Sequence, residues 1–329
     1  MISPYTGKEM KLVYEPRTWN FRGEDYEYIH TAYLCEDTGE QFTTCESDDA
    51  GFLQVTNLYR AKYGIPYTDE IIAVRNRYGV SAAKMSAILG MGTNQWRLYE
   101  SGEVPSVSNG RMIRSIMNPK VFLDLVESVR QMLTAKEYEN ISEKVKKVIA
   151  QTGAYHFEEY ECRRVFASSR GAANGFSATS LPKLKAVMLA VLQECGEVFY
   201  TKMNKLLFYV DFLSYRQRGM SMTGLSYLAI DFGPVPDRWD KVYSEFDEIH
   251  QELRPIGDFE GNMLVANGVA DESLLSDIER SIIHTVCERF KSCSSREIST
   301  ISHDEPAWQK YHETHSRIPF VEAFSLKAI

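Results

Sequence analysis

A chain of 329 residues is longer than one ordinary domain, so two or three packed units are expected, and a hydrophobic share of 44% supplies each with a core and excludes disorder throughout. No stretch approaches the ~20 apolar residues of a membrane span, the amino terminus lacks a basic segment followed by an apolar run, and the six cysteines form no CxxC pair. A soluble cytoplasmic protein with free thiols and no membrane contact is expected. The net charge of −8 argues against nucleic acid taken as a total, but the charge is uneven.

The first fifty-odd residues are rich in Tyr, Thr, Phe and Gly, and the alternation in YEYIHTAYLC predicts short antiparallel strands. Two knuckle-like fragments stand out, Ser3 to Met10 and Cys35 to Glu40. From Gly51 an apolar-periodic helix runs to a break at Ile65 and Pro66. Thr68 then reads as the N-cap of a helix with Asp69 and Glu70 in its first turn and Ile71, Ile72, Val74 and Tyr78 facing inward.

The stretch SAAKMSAILGMGTNQWRLYESGEVP reads as a helix-turn-helix. Ser81 caps a short amphipathic helix carrying Met85, Ile88 and Leu89; Gly90 and Gly92 make the turn; a second helix from Thr93 to Tyr99 places Trp96 and Tyr99 inward. Thr93, Asn94, Gln95 and Arg97 then lie outside the apolar stripe near the helix start. Asn and Gln can bond adenine in a bidentate way and Arg reaches guanine or phosphate, so these four, with Lys84, are the candidate DNA-binding residues. Between Ala61 and Asn118 the bases Lys62, Arg75, Arg77, Lys84, Arg97, Arg111 and Arg114 outnumber the acids Asp69, Glu70, Glu100 and Glu103, which suits phosphates. Ser106 to Met117 and Pro119 to Met132 read as further helices. Thr134 to Arg164 reads as a solvated helical connector, and the small, polar run Phe166 to Ser180 as a linker.

Leu181 to Leu192 reads as an amphipathic helix. Thr201 is expected to cap the next one, with Met203, Leu206, Leu207, Val210 and Phe212 apolar and Lys202, Asn204, Lys205, Tyr209 and Asp211 as polar surface. A buried strand, LSYLAI, follows, and then Gly233 to Pro236 and a helix holding Trp239, Val242, Tyr243 and Phe246. Between Asp237 and Glu260 the acids Asp237, Asp240, Glu245, Asp247, Glu248, Glu252, Asp258 and Glu260 outnumber the bases, which favours a basic partner. His303, Asp304, Glu305, His312 and His315 cluster in sequence; Asp304 and Glu305 suit a helix start with Trp308 inward, and a divalent metal is the competing reading.

Tyr99, Glu100, Ser101 and Gly102 close the central unit as in the XRE family of helix-turn-helix domains, which this stretch resembles. The order of a knuckle, strands with an NFRG segment at Asn20 to Gly23, a second knuckle and then these helices is similar to the MqsA antitoxin family. In that family both knuckles carry CxxC and hold a structural zinc. Here the ligand positions fall on Ser3, Thr6, Cys35 and Thr38, and only one of them is a thiol, so no metal and no cofactor is expected. The segments KMNKLLFYVDF, MTGLSYLAIDFGPVP and SHDEPAW resemble the Panacea domain of SocA-like antitoxins, across roughly Leu181 to Ile318.

The resemblances imply a mostly α, multidomain chain. Residues 1–52 would form a small β domain of zinc-ribbon type without zinc, 53–132 a five-helix-type XRE helix-turn-helix, 133–180 a helical connector and linker, and 181–329 an α+β Panacea domain. They imply the antitoxin of a type II toxin-antitoxin system. The Panacea domain would neutralise a cognate protein toxin by direct binding, and a homodimer would repress its own operon on double-stranded operator DNA, with a protease as a further partner if the chain is an adaptor. Lys205, Tyr209, Asp211, Asp231 and Trp239 are the candidate partner-binding residues, and no catalytic residue is expected: GxSxG, HExxH, P-loop and dinucleotide signatures do not occur. The alternatives are a stand-alone or prophage transcriptional regulator with a ligand-sensing C-terminal domain and, third, a metal-dependent enzyme using the His303 to His315 cluster.

Overall fold

The computed structural model describes residues 1–151, 160–244, 246–256 and 259–329. Glu245 and Asp258 of the acidic run, and residues 152–159 of the expected connector, lie outside the described residues. The chain is about half helical with small sheets, and none of its described helices is long and apolar enough to cross a membrane. It divides into two compact units, Thr56–Tyr160 and a second made of Met1–Val55 together with Glu161–Ile329.

The first unit is helical. After α1 (Cys45–Tyr63), α2 (Thr68–Tyr78) starts one residue earlier than Thr68 as a cap allows: Tyr67 is the N-cap, and its backbone N–H donates to Glu70 Oε2 at 2.8 Å. Ser81 caps α3 (Ala82–Ile88) as expected, its Oγ accepting from the Lys84 N–H at 3.2 Å. The next helix, α4 (Gln95–Glu100), is shorter than expected because Thr93 and Asn94 stay in the turn. Ser106 and Asn118 cap α5 (Val107–Ser115) and α6 (Pro119–Ser128), and Thr134 with Glu137 forms a capping box on α7 (Ala135–Ala150). Trp96, Tyr78 and Phe122 centre the core, with Tyr78 stacked on Phe122 at 4.2 Å. The expectation that this last helix is a solvated connector is corrected: Ile141, Val145 and Val148 belong to the same core. Their i, i+4, i+7 spacing makes an apolar stripe that the surrounding charges conceal.

The second unit opens with an 11-residue antiparallel pair, β1 (Lys11–Phe21) and β2 (Glu24–Leu34), in place of several short strands. Arg22 and Gly23 both have positive φ, 54° and 84°, the two-residue turn whose twist matches a hairpin. The short β3 (Gln41–Phe42) adds to β2. This hairpin is not a lobe by itself. Tyr14 meets Phe324 edge-on at 5.4 Å, the Arg216 guanidinium lies 5.9 Å from the Tyr14 ring, and a Cβ at Gly219 would come within 2.6 Å of the Ala50 carbonyl oxygen.

The run read above as a linker is also folded. Phe166 and Phe176 are buried, Asn174 Nδ2 donates to the Ser177 and Gly224 carbonyls at 3.0 and 3.1 Å, and Ser221 Oγ donates to the Asn174 carbonyl at 2.7 Å. Small residues serve close packing here rather than flexibility: at Gly175, φ 60°, a Cβ would lie 2.7 Å from that of Ser221.

Ser180 caps α8 (Leu181–Cys195); β4 (Val198–Phe199) leads into α9 (Tyr200–Arg218). A hairpin of β5 (Tyr227–Ile230) and β6 (Gly233–Pro236) is followed by α10 (Trp239–Val242). Then come β7 (Ile249–Ile256) and β8 (Phe259–Ala266), which form an antiparallel sheet in the order β4-β8-β7. Three helices complete the unit: α11 (Asp277–Phe290), α12 (Ser295–His303) and α13 (Pro306–Gln309). The core sits on α9, against which α11, α12, β6 and the 3-10 turn Phe320–Ser325 pack.

Candidate functional site

Because α9 is covered on every side, its polar residues do not form the surface expected of them. Lys202, Asn204, Lys205, Tyr209 and Asp211 are all buried, so Tyr209 and Asp211 cannot face a partner. Each but one is satisfied internally, as burial of a polar group demands. Asp211 accepts from the Met222 and Thr223 N–H groups, both at 2.7 Å, from the Thr223 hydroxyl, and from Tyr227 OH at 2.6 Å. Burial pushes its carboxyl up and these donors oppose that. Tyr209 OH donates to Glu305 Oε1 at 3.2 Å; Glu305 also accepts from the Lys327 and Ala328 N–H groups at 2.7 and 3.0 Å, fastening the chain end over the helix. Tyr243 OH donates to Asn204 Oδ1 at 2.5 Å, and Lys202 Nζ donates to the Lys291 carbonyl at 2.9 Å.

Lys205 is the exception. Its side chain is fully buried and Nζ has no hydrogen-bond partner among the described residues; burial lowers its pKa to about 7. It forms part of the wall of a pocket of about 320 Å³ with Tyr200, Thr201, Asn204, Val235 and Asn262, and Ile230, Phe232 and Trp239 complete the lining. The fold builds this pocket from four places, of which β8 supplies Asn262. The start of α9 supplies the floor, the β5–β6 turn carries Phe232, and α10 carries Trp239, which meets Tyr200 edge-on at 6.3 Å. Phe232 and Trp239 are 74% and 38% exposed. Apolar walls, a few converging polar groups and a perturbed titratable residue are the usual marks of a binding site.

Residues 203–309 match the family model described as Antitoxin SocA-like, Panacea domain. No curated protein and no solved structure matches the chain. The Panacea segment runs from the first turn of α9 to the end of α13, so it contains Lys205, the Asp211 network, Phe232, Trp239 and Glu305. Of the candidate partner-binding residues in it, the structure gathers Lys205 and Trp239 at the pocket. Asp231 is exposed and bonds His315 Nε2 at 2.8 Å. Among the described residues the histidines of this cluster are not grouped as a metal set: His303 and His312 each stack on Trp308, with ring centroids 4.3 Å apart, and His315 bonds Asp231. Among the described residues, the trio whose ligand atoms lie within 4.8 Å of one another is Glu194, His284 and Glu288, all exposed and none expected from sequence. His284 and Glu288 are one helical turn apart, and that spacing was the available signal.

Two features lie outside the Panacea segment. The four positions matched to zinc ligands do converge: Ser3 Oγ donates to Cys35 Sγ at 3.2 Å, Thr6 Oγ1 lies 3.8 Å from it, and the Thr38 hydroxyl is near enough to lower the pKa of the same thiol. The Ser3 and Thr38 hydroxyls lower the thiol to about 7. One thiol and three neutral hydroxyls do not fit zinc, and here they bond one another. In the helical unit, Thr93, Asn94 and Arg97 are exposed and Gln95 is half-buried, its Nε2 donating to Glu103 Oε1 at 3.1 Å. Lys84 Nζ pairs with Glu137 Oε1 at 2.8 Å. Trp96 and Tyr99 are buried, held by Trp96 N–H to Ser86 Oγ at 3.0 Å and Asn109 Nδ2 to Tyr99 OH at 2.7 Å.

Proposed function

We propose that the chain is the antitoxin of a type II toxin-antitoxin system whose C-terminal half neutralises a cognate protein toxin by direct binding. The observation that carries this reading is the Panacea match over residues 203–309. The reading needs no catalytic chemistry: inhibition follows from covering the toxin's working surface, and the exposed aromatics Phe232 and Trp239 are side chains of the kind that anchor protein interfaces. The helical unit, as a homodimer, binds the operator through Thr93, Asn94 and Arg97 and represses the operon. A protease adaptor role is a variant of the same binding activity. The test is a short open reading frame beside the gene: its product expressed alone should arrest growth, and co-expression of this chain should restore it. If no neighbouring product is toxic, the antitoxin reading fails.

A second reading, a transcriptional regulator whose C-terminal half senses a ligand, is favoured by one observation, the pocket with Lys205 in its wall. Under that reading no neighbour is toxic, and operator affinity changes with a small molecule.

A further inference from the structure

An ammonium group taken out of water without a partner is costly, and Lys205 cannot relieve the cost by swinging outward. The β5–β6 turn lies on it: a Cβ at Gly233, φ 94°, would be 2.7 Å from Lys205 Cε and 3.0 Å from Nζ. Nor do the neighbouring acids answer it. Among the described residues no acid is paired with it: Asp211 bonds Met222, Thr223 and Tyr227, Glu305 bonds Tyr209 and the Lys327 and Ala328 backbone, and Asp231 bonds His315. His303, whose Nε2 is likewise buried without a hydrogen-bond partner among the described residues, is close enough to feel the Lys205 charge as repulsion. Protonated Lys205 is therefore left without a counter-charge, and the space beside it is a pocket open to solvent.

We propose that this pocket binds a carboxylate joined to a compact apolar group, the carboxylate resting against Lys205 Nζ and the apolar group between Tyr200, Phe232 and Trp239. The volume, about 320 Å³, is at the small end for organic ligands. One cation matches one negative charge. Asp231 and Asp240, each next in sequence to a rim aromatic, disfavour a polyanion. Because Tyr243 occupies Asn204 Oδ1, the amide nitrogen of Asn204 remains to donate to the second carboxylate oxygen. Two sources offer this chemistry, a free organic acid and the carboxy-terminal residue of a protein chain. The inference does not depend on the antitoxin reading.

Calorimetric titration of the full chain tests it, with butyrate, phenylacetate and an N-acetyl dipeptide ending in phenylalanine as probes, each beside its carboxamide. The expected result is saturable binding of at least one acid, at least about tenfold tighter than its amide, since only the acid can pair with the ammonium. Lys205→Met should abolish that preference while folding at least as stably as the parent, because it removes an unpaired buried charge. Phe232→Ala, at an exposed position, should weaken the acid severalfold without affecting the fold. Tighter binding of the dipeptide identifies a chain end as the source, and tighter binding of phenylacetate a free acid. Equal binding of acid and amide, unchanged binding in Lys205→Met, or no saturation by any acid at millimolar concentration overturns the proposal. None of these outcomes bears on whether a neighbouring gene product is toxic.

Discussion

Tyr227 on β5 donates its hydroxyl to Oδ2 of Asp211 on α9 at 2.6 Å, with both side chains fully buried. The same carboxyl receives the N–H groups of Met222 and Thr223, so one side chain ties the central helix to the loop that follows it and to the strand beyond. The pocket inherits its geometry from this tie. Lys205 precedes Asp211 on the helix, and Phe232 sits in the turn just beyond the strand that Tyr227 begins.

Asp211→Ala should therefore destabilise the C-terminal half by about 3–5 kcal/mol, because it leaves several buried donors without an acceptor at about 1–3 kcal/mol each. Asp211→Asn should be only a partial remedy, since its amide NH2 turns a donor toward donors. Urea unfolding followed by fluorescence checks both. Loss of less than about 1 kcal/mol in the alanine variant would show that the donors find other acceptors.

Acid should loosen the same unit through Glu279 on α11. Burial pushes this carboxyl up, but the Lys183 ammonium at 2.7 Å, the Ser276 N–H at 2.9 Å and the Arg218 guanidinium at 2.9 Å outweigh burial and hold it at about 2. A carboxyl lowered in the folded state contributes stability that is complete above its unfolded value, near 4.5, and is lost as pH falls toward about 2. Glu279→Gln should thus lower the urea midpoint near neutrality, and the gap from the parent should narrow steadily below about pH 4.5. A gap that is constant with pH would mean that charge plays no part.

Much of this was legible in the sequence, and the remainder was hidden for physical reasons. Ser81 as a cap and Trp96 and Tyr99 as inward residues follow from local spacing alone, and local spacing survives folding. The buried stripe of α8, Leu184, Val187, Met188, Val191 and Leu192, is legible on the same ground. Spacing misleads on α9, where a periodic pattern implies one wet face. Its second face is covered by β6 and the Phe320–Ser325 turn, contacts distant in sequence that only the fold reveals. The polarity of Lys205 is therefore legible in the sequence, while the lack of a hydrogen-bond partner at its Nζ among the described residues is a property of the fold alone. The β7–β8 hairpin is masked in the sequence because acidic residues dominate that stretch. Gly257 and Asp258 between two eight-residue runs were the signal to follow.

Cys35 offers a prediction about the knuckles. The Ser3 and Thr38 hydroxyls lower its thiol to about 7 from the usual 9, so Ser3→Ala should raise it. Thiolate absorbance in the ultraviolet, taken as the difference between the parent and Cys35→Ala, would follow the titration. The stability that this thiolate contributes is complete above the unfolded value and is lost as pH falls through about 7, so Ser3→Ala should cost more in mild alkali than in acid. Identical titration of Cys35 in the parent and in Ser3→Ala would leave the hydroxyl without an electrostatic role.

The helical unit gives the sharpest test of operator binding, because its candidate residues differ in what else they do. Arg97 is exposed, and its side chain makes no hydrogen bond or ion pair among the described residues, so Arg97→Ala changes only what the residue offers to a ligand. Gln95 bonds Glu103, and Lys84 bonds Glu137 of the α7 capping box, so substitutions there also disturb the protein itself. Asn94→Ala and Arg97→Ala should each weaken binding to the operator by about 1–3 kcal/mol at fixed salt if they read bases, with the loss confined to one position of the site. A phosphate contact by Arg97 should instead weaken all sequences alike and reduce the salt dependence by about one ion. Gel-shift titrations at two salt concentrations, on the promoter and on scrambled DNA, separate the two cases. Affinity unchanged in both variants would place the reading surface elsewhere than the start of α4.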